Sequence, residues 1–290
     1  MRDQVRDLRS TIVSTVDGYH KFYVHSRNVV KFTWTHPANE RGRARALLRL
    51  ARFQARGRLL HRRTLARLGD QSHVWAYLHR YGALKIVCAN PPDYLEMLTW
   101  RQVIRPGDLF VDVGANVGTY AIWAGDLGAE VIALEPAQDT YALLMENVAL
   151  NDYPIEVIQA AAGAACGTAR FTSGRDDVNR LDPGGSAETK MVTIDSLIGA
   201  RTVAGMKVDV EGFEIEVLRG CEQALSEHRI RLIQLEWNAT SWKAVGADRQ
   251  PIVDLLAKHK YGLYRPGRDG TLGQLTELGF GADVFARPSP

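Results

Sequence analysis

The stretch LFVDVGANVGTYAIWAGDLGAEVIALEP, residues 109–136, constrains the fold more than any other part of the chain. An apolar run carrying Asp112 meets a turn with glycines at 114 and 118, helical apolar spacing follows, and a second apolar run ends on Glu135. That order is strand, turn, helix, strand. It continues with a helix expected at 138–150 and a third strand, IEVIQAAAG, at 155–163. After a polar, glycine-containing excursion (164–190), MVTIDSLI (191–198) and GMKVDVEG (205–212) read as further strands. A helix at 213–226, a strand at 230–238, a helix at 250–259 and a glycine-rich pair of strands at 261–287 complete the pattern. Strands nearly continuous in apolar residues, alternating with helices, predict a mostly parallel sheet covered on both faces.

The region before this alternation is different. Residues 1–100 hold 18 bases and 7 acids, a balance of +11, while the rest holds 18 bases against 26 acids, or −8. Residues 1–39 carry short β-like stretches such as VVKFTW. Residues 41–68, with ten arginines and no acid, read as a basic amphipathic helix interrupted near Gly57. Residues 74–88 look like strands, and 91–104 like a helix with a proline start. The expected organisation is therefore a basic, helical and β cap over 1–91 and a ligand-binding domain over 92–290. The arginine stretch offers contact to a membrane surface, an acidic acceptor or a nucleic acid. Its plainest reading is a solvated helix face packed on the acidic half of the chain. No apolar run approaches the ~18 residues of a membrane span, and the charged start MRDQVRDLRS has no apolar segment behind it, so no secretory signal is expected. Cys88, Cys166 and Cys221 are scattered without a CxxC pair and read as thiols of a cytoplasmic protein.

Doubly wound sheets bind ligands at the carboxyl ends of their strands, where strand order switches. The turn here is D-V-G-A-N-V-G, with Asn116 standing where a dinucleotide fingerprint needs its second glycine. Asp112 would repel a pyrophosphate and welcome an ammonium group, which favours S-adenosylmethionine over NAD. Glu135, ending the second strand about 20 residues after the turn, is placed for ribose hydroxyls. The plain alternative is that Asp112 and Glu135 cap helices.

These residues carry a resemblance. Residues 105–151, together with YLEM just upstream, DDVNRL in the excursion and VTIDSL…MKVDVEGFEIEVLRG, resemble the FkbM-type methyltransferases over about residues 92–238. The resemblance implies a Rossmann-like class I methyltransferase sheet, α/β, of seven strands with one antiparallel, under the N-terminal cap. It implies S-adenosylmethionine as cofactor and methyl transfer to oxygen, typically a hydroxyl of a sugar or secondary metabolite. It places Asp112, Gly114, Asn116 and Gly118, with Ala115, around the cofactor's methionine part, and Glu135 with Pro136 at the ribose. Ala161 and Ala162 fall at the adenine, and Asp209 and Glu211 line the site after the fourth core strand.

In MKVDVEG, Lys207, Asp209 and Glu211 alternate with apolar residues, a costly pattern inside a parallel sheet unless the strand opens into a cleft. A hydroxyl needs its proton removed, and a carboxylate in a dry pocket has the raised pKa for that task. Glu211 is the expected base, with Asp209 nearer the cofactor. The competing reading makes both acids helix caps. Asn179, Glu236 and Asn238 are candidates to orient the acceptor. Asp209, Glu211, Glu236 and Asn238 also offer the hard oxygen ligands that Mg²⁺ accepts, but no HxxH or clustered-Asp motif is present and no metal site is expected. The expected partner is a small-molecule or glycosylated acceptor and not a nucleic acid, and a homo-oligomer is compatible with the fold. Two rivals stand: an N-methyltransferase, whose NPPY-type signature is absent after the fourth strand, and a non-catalytic ligand-binding partner of the same fold.

Overall fold

The structure is a computed structural model that describes residues 27–78, 81–171, 185, 187–237, 249–277, 279 and 283–289. A helical stretch at 27–35 (α1) precedes α2 (Arg43–Leu60), the hairpin β1 (Thr64–Leu68) and β2 (Ser72–Ala76), and helices α3 (Tyr81–Cys88) and α4 (Tyr94–Val103). Then come β3 (Leu109–Val113), α5 (Thr119–Asp126), β4 (Glu130–Leu134), α6 (Gln138–Val148) and β5 (Ile155–Ile158). The excursion holds β6 (Ala161–Ala162), β7 (Gly167–Phe171) and β8 (Ala187–Val192), and is followed by α7 (Ile194–Ile198). The last part is β9 (Gly205–Val208), α8 (Glu214–Arg219), α9 (Glu222–Ser226), β10 (Ile233–Leu235), α10 (Gln250–Lys258), β11 (Tyr261–Pro266), β12 (Leu272–Gln274) and β13 (Val284–Pro288).

The central sheet runs β12-β11-β13-β10-β9-β3-β4-β5. Its five strands β5, β4, β3, β9 and β10 pair in parallel, and β13 inserts antiparallel between β10 and β11. This is the expected mostly parallel sheet with an antiparallel strand near its C-terminal edge; the short β12 adds an eighth, antiparallel strand at that edge. The order reverses between β3 and β9, so their carboxyl ends open the crevice in which such sheets bind ligands. All of β3 and all of β9 are buried. Trp100 of α4 fills the core against Phe110 and Phe285, with ring centroids 5.0 and 5.5 Å away.

The N-terminal hairpin lies on this sheet's helical layer and explains why α5 is apolar all round, with Tyr120 to Gly125 buried. Asp126 accepts bonds from the Asp70 and Gln71 amides at 2.7 and 3.2 Å, which fastens the hairpin turn. Asn147 and Asn151 accept from the amides of Trp75 and His73 at 2.8 and 2.9 Å. Side-chain amides of α6 and of the bend just after it thus satisfy backbone donors of β2 that no third strand reaches.

Several sequence expectations change. VVKFTW lies in helix α1, where Val29 and Thr33 bury one face and the Thr33 hydroxyl donates to Val29 O at 2.8 Å. Residues 81–88 are helical, a short apolar run that periodicity alone does not assign. Helix α2 passes through Gly57 unbroken, because that glycine is a notch for Leu78: a Cβ there would lie 3.0 Å from Leu78 Cβ. It ends at His61 in a left-handed conformation, and Thr64–Leu68 pairs as a strand. The expected strand 155–163 splits into β5 and β6, that at 230–238 shortens to β10, and the final pair becomes three strands. MVTIDSLI divides into β8 and α7, with the Thr193 hydroxyl capping the helix at the Ser196 amide, 3.2 Å away. The helix expected at 213–226 breaks at Gly220 into α8 and α9.

Gly220 breaks it for a packing reason. A Cβ there would lie 2.1 Å from Gly163 O, so two backbones meet where no side chain fits. Gly220→Ala is expected to cost about 2 kcal/mol or more, read as a lower urea midpoint at unchanged m-value; a midpoint within error of the parent chain would refute the contact.

Candidate cofactor and catalytic site

The turn after β3 places three residues in the left-handed region: Gly114 (φ 79°), Asn116 (φ 51°) and Gly118 (φ 93°). The glycines' missing side chains make room for protein. A Cβ on Gly114 would lie 1.9 Å from Asp209 O, and one on Gly118 would lie 2.7 Å from Leu144 Cδ1. Gly114 and Ala115 both donate to Leu134 O, at 3.0 and 2.9 Å, which ties the turn to the end of β4.

Asp112 is buried within β3, and its Oδ2 accepts from the Ala121 amide at 2.8 Å, in the first turn of α5. The helix-cap reading is therefore realised by one oxygen. Oδ1 is buried with no hydrogen-bond partner among the described residues. Burial pushes this carboxyl up to about 6, against the pull of Lys207. Glu135, also buried, accepts from the Ala137 amide at 2.9 Å and from the Asn116 amide at 3.0 Å. Burial holds it up at about 7 despite both bonds. It joins the glycine turn to the start of α6, with Pro136 half-buried beside it. Ala161 and Ala162 are buried in β6 against Met191 and Val192, just past β5, whose Ile158 carbonyl accepts from the Glu135 amide at 3.2 Å.

Across the switch point Lys207 of β9 stands in register with Asp112. Its ammonium is buried, lies 2.7 Å from Asp209 Oδ2, and sits 4.6 Å from the centre of the Tyr120 ring. Burial lowers its pKa, but Asp209 and Asp112 together outweigh burial and raise it. Asp209 lies just past β9, and Glu211 follows in a turn where its own backbone is left-handed (φ 54°). A non-glycine residue held there is strained, a condition that clusters at functional sites. Glu214, fully buried, shapes that turn by accepting from the Gly212 amide at 2.9 Å and pairing with Arg249 at 2.6 Å.

Carboxylate oxygens of Asp209, Glu211 and Glu236 all lie within 4.8 Å of one another. Glu236, buried past the end of β10, is pushed up to about 9 by burial and by Asp209, Glu211, Glu214 and Asp283. Its proton is therefore held more tightly than that of an exposed carboxyl. Asp283, pushed up by burial to about 6, accepts from Gln234 at 2.7 Å, and Gln234 also donates to the Tyr120 hydroxyl at 3.2 Å. The structure brings Asp112, Glu135, Asp209, Glu211 and Glu236 to one end of the sheet. Asn179 and Asn238 lie outside the described residues.

Such an excess of acid, with Lys207 and Arg249 both already paired, suits a cationic ligand and repels a pyrophosphate. The left-handed turn, the orphan Asp112 oxygen and the Glu135 carboxylate fit a sulfonium cofactor carrying an ammonium group and a ribose. The Asp209–Glu211–Glu236 donors are ones a hard divalent cation accepts, and an ionised carboxylate among them can also take a proton. Sequence reasoning missed Lys207 as a partner of Asp112, and missed Glu214, Arg249 and Asp283. The signal for Lys207 was present, a cation inside an apolar strand.

The domain model described as methyltransferase FkbM domain matches residues 112–263, just over half of the chain. The chain belongs to the FkbM methyltransferase family. Among curated relatives, it is 28% identical over 159 residues to hexuronic acid methyltransferase AglP of Haloferax volcanii, covering 53% of this chain and 63% of that protein. It is 30% identical over 161 residues to 31-O-demethyl-FK506 methyltransferase FkbM of Streptomyces tacrolimicus, covering 42% of this chain and 62% of that protein. The match thus spans a little under two thirds of each relative's length. Among solved structures, an S-adenosylmethionine-dependent methyltransferase from Agrobacterium tumefaciens aligns with a TM-score of 0.44 at 12% identity, over 79% of this chain and 70% of that one.

The raised carboxyls fix how stability follows pH. Unfolded carboxyls titrate near ~4, whereas burial holds Asp112 and Asp283 at about 6, Glu135 at about 7, and Glu236 higher still. The native state binds more protons across that window, so stability is full below it and is lost as pH rises through the folded values. The melting temperature of the ligand-free protein is expected to fall by about 5 °C or more between roughly pH 5 and pH 8.5, and Glu236→Gln to flatten that fall. A melting temperature that climbs over the same range would contradict the buried acid cluster.

Proposed function

We propose that this chain transfers a methyl group from S-adenosylmethionine to a hydroxyl oxygen of a sugar, glycosyl unit or secondary metabolite. The observation that carries the reading is the convergence of Asp209, Glu211 and Glu236 past the ends of β9 and β10, beside the glycine turn and Glu135. Family membership supports methyl transfer. The relatives' names support the acceptor class, one naming a hexuronic acid and the other 31-O-demethyl-FK506.

The bound cofactor would supply a methyl group already activated on a sulfonium. The chain's own tasks are to hold it, exclude water and take the acceptor's proton. In this reading Glu135 receives the ribose hydroxyls, and Gly114 to Gly118 border the methionine part. Ala161 and Ala162 flank the adenine. Glu211, half-buried and held in its strained turn, takes the hydroxyl proton. Lys207 pairs with Asp209 next to the cofactor's ammonium, while Glu236, whose carboxyl pKa is raised by burial, lies beside Glu211 and the acceptor. Asn179 and Asn238 would orient the acceptor, and the first 91 residues would form its cap. Three free cysteines agree with a reducing, cytoplasmic setting.

The test is turnover with hydroxylated glycosides and secondary-metabolite alcohols, followed by mass spectrometry of the product. Glu211→Gln is expected to lower kcat by about 10²–10⁴-fold, with S-adenosylhomocysteine affinity and melting temperature close to those of the parent chain. Unchanged kcat in that variant would remove Glu211 as base, and methylation confined to amines would overturn the oxygen acceptor.

A further inference from the structure

Helix α2 carries two apolar stripes, and α3 with the N-terminal hairpin uses one. Ala46, Leu50, Phe53 and Gly57 are buried against the protein. Half a turn around, Ala44, Leu48, Ala51, Ala55 and Leu59 repeat at helical spacing and are exposed, Leu48 at 52% and Leu59 at 78%. A helix face opposite the core is ordinarily polar. Arg45, Arg52 and Arg56 border this stripe, exposed and without an ion pair to any described residue. Trp34, 45% exposed, adds an aromatic edge with the Arg43 guanidinium 5.6 Å from its ring centre. The part of the arginine stretch that does meet the acidic half is Arg63, paired with Glu146 of α6. The face of α2 itself points elsewhere.

Charge and shape together select the occupant. A second copy of the chain would set one arginine row against another, and residues 41–69 contain no acid to pair with them. A nucleic acid would engage the arginines and leave five apolar side chains in a row without a role. An anionic lipid surface uses both, with guanidinium groups at the phosphates and leucines at the acyl boundary. Among the described residues no helix is long and apolar enough to cross a membrane, so the contact is one that lies on the surface. We propose that the outward face of α2 docks the protein on a membrane leaflet rich in anionic lipid. The proposal stands apart from the reaction chemistry and does not depend on it.

The test is co-sedimentation of the full chain with phosphatidylcholine vesicles that contain or lack phosphatidylglycerol. Binding is expected to the anionic vesicles alone. Two variants dissect it: Leu48→Gln with Leu59→Gln, and Arg45→Gln with Arg52→Gln and Arg56→Gln. All five sites are exposed, and circular dichroism and melting temperature check that each variant folds. Each set is expected to lower partitioning about tenfold or more. No sedimentation of the parent chain would overturn the proposal, as would loss in the arginine set alone, which marks a general polyanion site such as a nucleic acid would use. Self-association in solution that the leucine set abolishes would also overturn it, by assigning the stripe to a second copy.

Discussion

One buried ammonium group holds the site together. Lys207 lies inside the sheet between Asp112, its partner in register on β3, and Asp209, 2.7 Å away past the end of β9. An isolated charge at that depth would cost several kcal/mol, and so would the buried Asp112 carboxylate alone. Together they let two neighbouring strands end in acids without losing the parallel packing. Glu135 at the end of β4 extends the acidic edge by bonding backbone amides instead of a cation. Glu236 at the end of β10 extends it by keeping its proton. One edge of the sheet is thus loaded with carboxyl groups stabilised in three different ways, and a cationic cofactor is the ligand that relieves them.

The turns that carry these groups are fixed by contacts within the protein. Gly114 is a glycine because the Asp209 carbonyl occupies the space of its side chain. The same contact seats the glycine turn against the turn that carries Glu211. The left-handed Glu211 is held by a buried ion pair one turn further on, between Glu214 and Arg249. The glycine turn and the turn that carries Glu211 are therefore one packed unit, and a change in either is transmitted to the other through backbone atoms.

Much of this was legible in the sequence for physical reasons that can be named. The alternation of apolar strands with amphipathic helices fixed the parallel sheet, because buried parallel strands have no polar face to disguise them. Asp112, Glu135, Asp209 and Glu211 stood out as acids at the ends of apolar runs. What was hidden depends on partners distant in sequence. Nothing local shows that Asp112 caps α5, that Lys207 faces Asp112, or that Glu214 waits for Arg249. Short apolar runs such as 81–88 failed for another reason: burial on one side is compatible with helix or strand, and tertiary packing decides. Gly57 and Gly220 look alike as helix breakers, yet one is a notch in a continuous helix and the other a true break, because their neighbours differ.

In the proposed reading, the acidic edge beside the glycine turn holds S-adenosylmethionine through Glu135. Calorimetric titration with S-adenosylhomocysteine, on the parent chain and on Glu135→Gln, tests it most directly. Micromolar binding to the parent and a loss of about tenfold or more in the variant are expected, as the ribose hydrogen bonds to Glu135 weaken. Equal affinity in the two proteins, or no binding to the parent chain, would contradict it.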